Sequence, residues 1–295
     1  MATRGEVIDL VRSLGDRVNG HPEHVREVVP QLVALLDEHH DPAVIVAIVD
    51  ALGYAWDEGA SLHVLPLADH PDAAVRLAVA QAMPGGVESD AATVAVIDTL
   101  IRLSRDDNDA VRDWATFGIG SQFSLDTSEV REALLDRTTD RSQDVRDEAL
   151  VGLAHRRDRR ALPLVRQQLS EDNPGPLVFE AAEYLAHPDL LDSLAGWLVD
   201  RPDDNAILGA CRACDPTQQL ARTERHAALL AAVEQLMTEQ ERPGRPALYC
   251  DRSSTDVLLT VDASSRVWFV DSLLERAEND VNRAAQLIAV DIDRQ

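Results

Sequence analysis

Cys211-Arg212-Ala213-Cys214 sets two thiols at the CxxC spacing used by redox couples and zinc sites. A zinc ion would need two further ligands, and Cys250 and His226 are the only candidates near in sequence. The pair falls in a helical run, Ala206 to Ala213, so the favoured reading is two buried helix cysteines. His155-Arg156-Arg157-Asp158-Arg159-Arg160 is the one basic spot and could grip a phosphate. It coincides with a turn between helices, where arginine is favoured at the preceding helix's C-terminus, and it is read as that turn. Of the nine histidines, His21, His24, His39, His40, His70 and His187 fall at helix boundaries. No lysine occurs anywhere, which excludes a P-loop lysine and a Schiff-base lysine. No Gly-rich phosphate loop, Ser-His-Asp order or metal triad stands out, so no catalytic residue, metal or cofactor is assigned.

The charge balance points instead to binding. Asp and Glu number 52 against 28 Arg, a net charge of −24 spread along the chain. Such a surface repels phosphate backbones, which disfavours nucleic acid and anionic membranes as partners. A basic protein, a cationic peptide or a cationic metabolite would be steered inward. The lysine-free composition fits codon bias in a GC-rich genome, with avoidance of lysine-directed modification as the alternative. Residues 1–9 carry no apolar targeting segment, and no stretch approaches the ~18 uncharged residues that span a bilayer. Three cysteines are too few for a disulfide framework, and a cytoplasmic location is expected.

Aromatics make up only 4% of the chain, so the interior must be built from Ala, Leu and Val, a helix-packing composition. The chain repeats itself. His40-Asp41-Pro42-Ala43-Val44, Pro71-Asp72-Ala73-Ala74-Val75-Arg76, Asn108-Asp109-Ala110-Val111-Arg112 and Ser142-Gln143-Asp144-Val145-Arg146 each open an apolar run at helical spacing. A weaker fifth copy begins at Asn173. With Val44, Val75, Val111, Val145 and Leu177 as register marks, the spacings are 31, 36, 34 and 32 residues. That is the length of two short helices and two turns, hence stacked helical hairpins. Asp72, Asp109 and Asp144 are expected to cap the helices they open. The second helices read as clearly, as where Leu162, Val165 and Leu169 recur with Pro163 in the first turn. Leu153 is placed on the inward face.

The segment from Gly152 to Leu164 resembles the HEAT-like repeats named after phycobilisome lyases, as do the three Val-Arg pairs after acidic turns. The resemblance covers roughly residues 40–200 and extends by analogy to helices at 6–19, 23–38 and 217–239. It implies an all-α solenoid of stacked hairpins and leaves activity open, since such families include lyases, hydroxylases, DNA glycosylases and scaffolds. The His-Glu dipeptides of the di-iron hydroxylases are absent. In such repeats the helix at the register mark lines the concave surface, which here collects Asp113, Trp114, Asp147, Glu148, Glu180 and Glu183. These residues form the expected partner-binding set. Trp114 suits an interface anchor, with core packing as the equal alternative. Arg76, Arg112 and Arg146, at one repeat position, are expected to form a structural ladder of Arg to Asp pairs between repeats.

Past Gln240, Arg242-Pro243-Gly244-Arg245-Pro246 breaks the helical pattern, and 247–261 reads as a turn or small hairpin. Ser264 or Ser265 is expected to cap one final helix through Leu273, Ala277, Val281, Ala284 and Ile288. The division is therefore a repeat array over 1–240 and an atypical cap over 241–295. The functional expectation is a non-enzymatic scaffold binding a basic protein or peptide through its acidic concave surface. The alternative is a lyase-like enzyme or small-molecule binder with its site in that groove.

Overall fold

The computed structural model describes residues 3–240, 242, 244–250, 257–262, 264 and 266–293. They form two compact units, 1–158 and 159–295. The first contains α1 (Arg4–Val18), α2 (Val25–Glu38), α3 (Pro42–Gly53), α4 (Glu58–Val64), α5 (Ala73–Ala82), α6 (Asp90–Leu103), α7 (Asp109–Phe117), α8 (Ser128–Arg137) and α9 (Gln143–His155). Helices α1, α3, α5, α7 and α9 pack each against the next, one layer of the unit. Helix α2 packs on α3, α4 on α3, α6 on α7 and α8 on α9, forming the other layer.

Each of the four register marks in this unit is buried together with the residue four places on, as in Val44 with Ile48, Val75 with Val79 and Val111 with Ala115. One helical turn thus drives a narrow aliphatic stripe between two neighbours. The cap lies three residues before the mark. Asp41 accepts from the Ala43 amide at 2.9 Å, Asp72 from Ala74 at 2.8 Å, and Asn108 from Ala110 at 3.0 Å. Asp109 and Asp144 lie inside the first turn and cap nothing, because Asn108 and Ser142 already hold the N-cap positions.

Arginines tie one hairpin to the next. Arg76 forks onto Asp106 at 2.6 and 2.9 Å and also donates to the carbonyls of His70 and Pro71. Arg112 repeats this on Asp140 at 2.9 and 2.8 Å, with Asp109 and the carbonyls of Asp106 and Asp107 completing its shell. Arg146 donates to the carbonyls of Asp140 and Arg141. The Arg76 fork holds the Asp106 carboxyl below its usual range. At Asp140 burial is the largest single influence and pushes the carboxyl up, but the Arg112 bond, the Ser142 amide and the charges of Arg112 and Arg137 together bring it below its usual range.

The second unit contains α10 (Ala161–Leu169), α11 (Leu177–Leu185), α12 (Leu191–Asp200), α13 (Asn205–Cys214) and α14 (Pro216–Glu239). Three corrections to the sequence reading fall here. Leu177 is only half-buried and Val178 is the buried mark, so the fifth copy runs one residue later. A sixth copy begins at Asp204, which caps α13 through Ala206 at 3.0 Å and sets Ile207 and Cys211 inward. On α10 the inward stripe is Ala161, Val165 and Leu169, with Leu162 at its edge.

After α14, β1 (Pro246–Cys250) and β2 (Val257–Val261) form an antiparallel hairpin, and β3 (Val267–Phe269) adds a third strand. The register pairs Leu248 with Leu259 and Leu259 with Trp268. Leu259 and Trp268 bury against Leu229 and Val233 of α14. The expected single last helix is two, α15 (Val270–Arg276) and α16 (Val281–Asp293). Glu278 and Asn279 adopt left-handed φ values of 58° and 61°, and Asp280 accepts from the Asn282 amide at 2.9 Å, restarting the chain as α16. Ser264 caps no helix, and Ser265 lies outside the described residues. Asp271 of α15 fastens to α14 through His226 at 2.7 Å and Arg222 at 3.0 Å.

Candidate functional site

The face to be tested is the register-helix layer. In the first unit, α7 places Trp114 at the surface, 40% exposed, with its ring edge-on to Phe117 at 5.7 Å. Asp113 beside it is half-buried, and its Oδ1 is sealed from solvent without a hydrogen-bond partner. Burial pushes the Asp113 carboxyl above its usual range, and the charge of Asp144 adds to this. A carboxyl so placed destabilises the fold when ionised. Folded-state stability is then greatest when the group is protonated and falls as pH rises through its raised pKa. Asp113→Asn should therefore melt higher than wild type at pH 7, and the difference should narrow as pH falls through the raised pKa toward the ordinary carboxylate value. Thermal melts by circular dichroism at pH 7 and pH 4 measure this, and an equal gap at both values would refute it.

Asp147 and Glu148 lie on α9. Glu148 is half-buried, whereas Asp147 is buried at 9% exposure and so contributes nothing to an open surface. In the second unit Glu180 of α11 is exposed, and Glu183 lies against Gly209 of α13.

The cysteine pair and the basic cluster resolve into structure. Cys211 and Cys214 are both buried on α13, and Cys214 meets the Ala182 carbonyl at 3.4 Å. Burial pushes the Cys214 thiol up to about 11, which keeps it a protonated, inert thiol at neutral pH. His226 is engaged by Asp271, and the Cys250 side chain lies outside the described residues. Among the described residues no group of three His, Cys, Asp or Glu could hold a metal ion.

Arg156 is 8% exposed and turned into the first unit. Its guanidinium donates to the carbonyls of Ile119 at 2.7 Å, Gly120 at 2.8 Å, Phe123 at 2.9 Å, Leu125 at 3.0 Å and Gly152 at 3.0 Å. Those carbonyls belong largely to the π-helical turn Gly118–Gln122 and the extended segment after it, backbone with few partners of its own. Burial pulls Arg156 down to about 10, so it stays charged at neutral pH.

Sequence reasoning missed a second feature. Tyr54 closes α3, Trp56 follows in the turn, and both join Trp114 and Phe117 around a cavity of about 300 Å³ that also meets Asp50 and Gln81. Trp56 is 71% and Tyr54 49% exposed. Four of the chain's eleven aromatic residues thus surround one cavity. The legible signal was Tyr54-Ala55-Trp56, two aromatics in the turn after a register helix of an aromatic-poor chain.

Two layers of short stacked hairpins, fixed by arginine forks, define a helical repeat protein, a fold that in general serves protein interaction. A family model for HEAT repeats matches residues 29–120 and again 97–186, and the chain belongs to that family. That family match does not extend to the narrower lyase type expected from 152–164 and the Val-Arg pairs. Protein YibA of Escherichia coli (strain K12) is 35% identical over 114 residues, 39% of this chain and 40% of YibA. The chain thus aligns with two-fifths of the length of that curated relative, and the same holds for YibA of Escherichia coli O157:H7. An X-ray structure of Escherichia coli YibA superposes with a TM-score of 0.54 at 24% identity, covering 65% of this chain and 69% of that one, a likeness of fold alone. Human deoxyhypusine hydroxylase in complex with glycerol reaches a TM-score of 0.34 at 20% identity over 71% of this chain and 78% of its own. That likeness is too distant to carry an argument about activity. No described helix is long and apolar enough to cross a membrane.

Proposed function

We propose that this chain is a non-enzymatic binding scaffold whose acidic register-helix faces engage a basic protein or peptide. The observation that carries this reading is the disposition of charge. The chain holds a −24 excess, while Arg76, Arg112 and Arg156 are spent on internal carboxylates and carbonyls. Internal pairing removes charges of both signs equally, so the −24 excess remains, and its field steers cations. Asp113, Trp114 and Glu148 in the first unit and Glu180 and Glu183 in the second are the proposed contact residues, with Asp147 as an internal support. Residues 241–295 act as the closing cap on α14, a role supported by their shared core with Leu229 and Val233.

A small-molecule reading draws on the cavity beside Trp114, which joins an aromatic wall to Asp50 and Gln81. The deciding experiment is titration with a defined basic peptide at ~50 mM and ~1 M salt, where the Debye length shrinks to about 3 Å. Wild type should bind at low salt and lose most affinity at high salt. A chain carrying Asp113→Asn, Glu148→Gln, Glu180→Gln and Glu183→Gln should bind weakly at both. Equal binding by the two chains would overturn the proposed surface.

A further inference from the structure

The C-terminal ends of α3 and α5 meet α7 around the cavity that holds Tyr54, Trp56, Trp114 and Phe117, all within the first unit. Three features there share one sign. Aromatic ring faces carry negative potential. Helix C-termini present the negative end of the helix dipole. The Asp50 carboxylate is half-buried, and among the described residues it has no hydrogen-bond or ion-pair partner; burial alone pushes it above its usual range.

Trp56 is not loosely exposed. It occupies the left-handed region at φ 47°, where a bulky residue is strained. Contacts of the residues around it fix the turn. Asp57, the next residue, caps α4 by accepting from the Ala60 amide at 2.9 Å. Ser61 of α4 donates to the Gly85 carbonyl. Gly86, at φ 71°, comes so close that a Cβ would stand 2.1 Å from the Trp56 carbonyl carbon. The fold therefore spends backbone strain to hold a mostly exposed indole at the rim of an aromatic cavity with one carboxylate in its lining.

We infer that this cavity is the seat for one cationic side chain, guanidinium or ammonium, of a basic partner polypeptide. An anion would meet three unfavourable fields. A neutral apolar guest would bury Asp50 further without pairing it, at a cost that a cation removes. A divalent metal would find one carboxylate where it needs several oxygen ligands. The volume of about 300 Å³ lies at the small end of ligand pockets, room for one side chain. The inference rests on the basic-partner reading above and narrows it to a residue type and a place.

The test follows the four indole N–H signals in two-dimensional NMR of the full chain, with Trp56→Ala, Trp114→Phe, Trp197→Phe and Trp268→Phe used one at a time to assign them. The probes are an arginine-containing peptide, the same peptide with citrulline for arginine, and arginine amide alone. The arginine peptide should shift the Trp56 and Trp114 signals and leave Trp197 and Trp268 in place, and the citrulline peptide should shift none. Asp50→Asn, which keeps the shape, and Trp56→Ala should each weaken binding roughly three- to thirtyfold.

If the arginine peptide binds but Asp50→Asn and Trp56→Ala leave its affinity unchanged, the cavity assignment fails and the acidic-surface reading survives. If those two variants lose binding while the four-residue surface variant keeps it, the cavity stands and the wider surface fails. Arginine amide binding as tightly as the peptide would overturn the polypeptide source in favour of a small cation. No shift with any cationic probe would overturn the inference outright.

Discussion

Equilibrium denaturation of an Arg156→Ala chain is expected to show the first unit losing about 3–5 kcal/mol, a large part of a domain's usual margin. Arg156 is the shared donor for carbonyls at Ile119, Gly120, Phe123, Leu125 and Gly152. Deleting it leaves buried acceptors without partners, and each costs roughly 1–3 kcal/mol when nothing replaces the bond. Water could enter the space and recover part of this, which keeps the estimate below the simple sum. Arg156→Lys should rescue little, because an ammonium is a point donor and cannot span carbonyls on both sides of a planar fork. A lysine variant as stable as wild type would show that charge alone holds the turn.

Leu153→Asp is expected to abolish cooperative folding of the first unit. Leu153 has no exposed surface and lies in the buried run Ala149 to Ala154 of α9. The packing around it is tight. A Cβ on the preceding Gly152 would come within 2.7 Å of the Gly120 Cα and 3.0 Å of Leu134. No relaxed neighbour can make room for water around a carboxylate there, so the charge would be unpaired at a cost of several kcal/mol, roughly, added to the lost aliphatic packing. Hydrogen exchange by mass spectrometry resolves the effect by region. Amides of α7 to α9 should lose protection first, and wild-type protection across those helices would show that Leu153 does not face the interior.

Much of the fold was legible because its physics is local. The mark at Val44, Val75, Val111 and Val145 and the polar residue three places before it recur within single helices, so periodicity alone exposes them. The forks were foreshadowed by Arg76 and Arg112, but their acceptors were not. Asp106 and Asp140 lie 30 and 28 residues on, and only stacking brings them to their arginines. The break between α15 and α16 escaped notice because Glu278 and Asn279 interrupt no apolar stripe. What they change is backbone handedness, which residue type announces weakly.

The candidate surface divides in the same way. Sequence by itself determined that the chain is an acidic helical-hairpin repeat with no lysine and no recognisable catalytic set, since charge, composition and period are additive along a chain. It also placed Trp114 and Asp113 on the register helix. Tertiary structure alone decided that Asp147 is buried, that Arg156 turns inward to serve carbonyls in preference to a phosphate, and that Asp50, Tyr54, Trp56 and Phe117 share a cavity with Trp114. Those facts depend on which helix ends meet when hairpins stack, and contacts between residues dozens of positions apart leave no period to read.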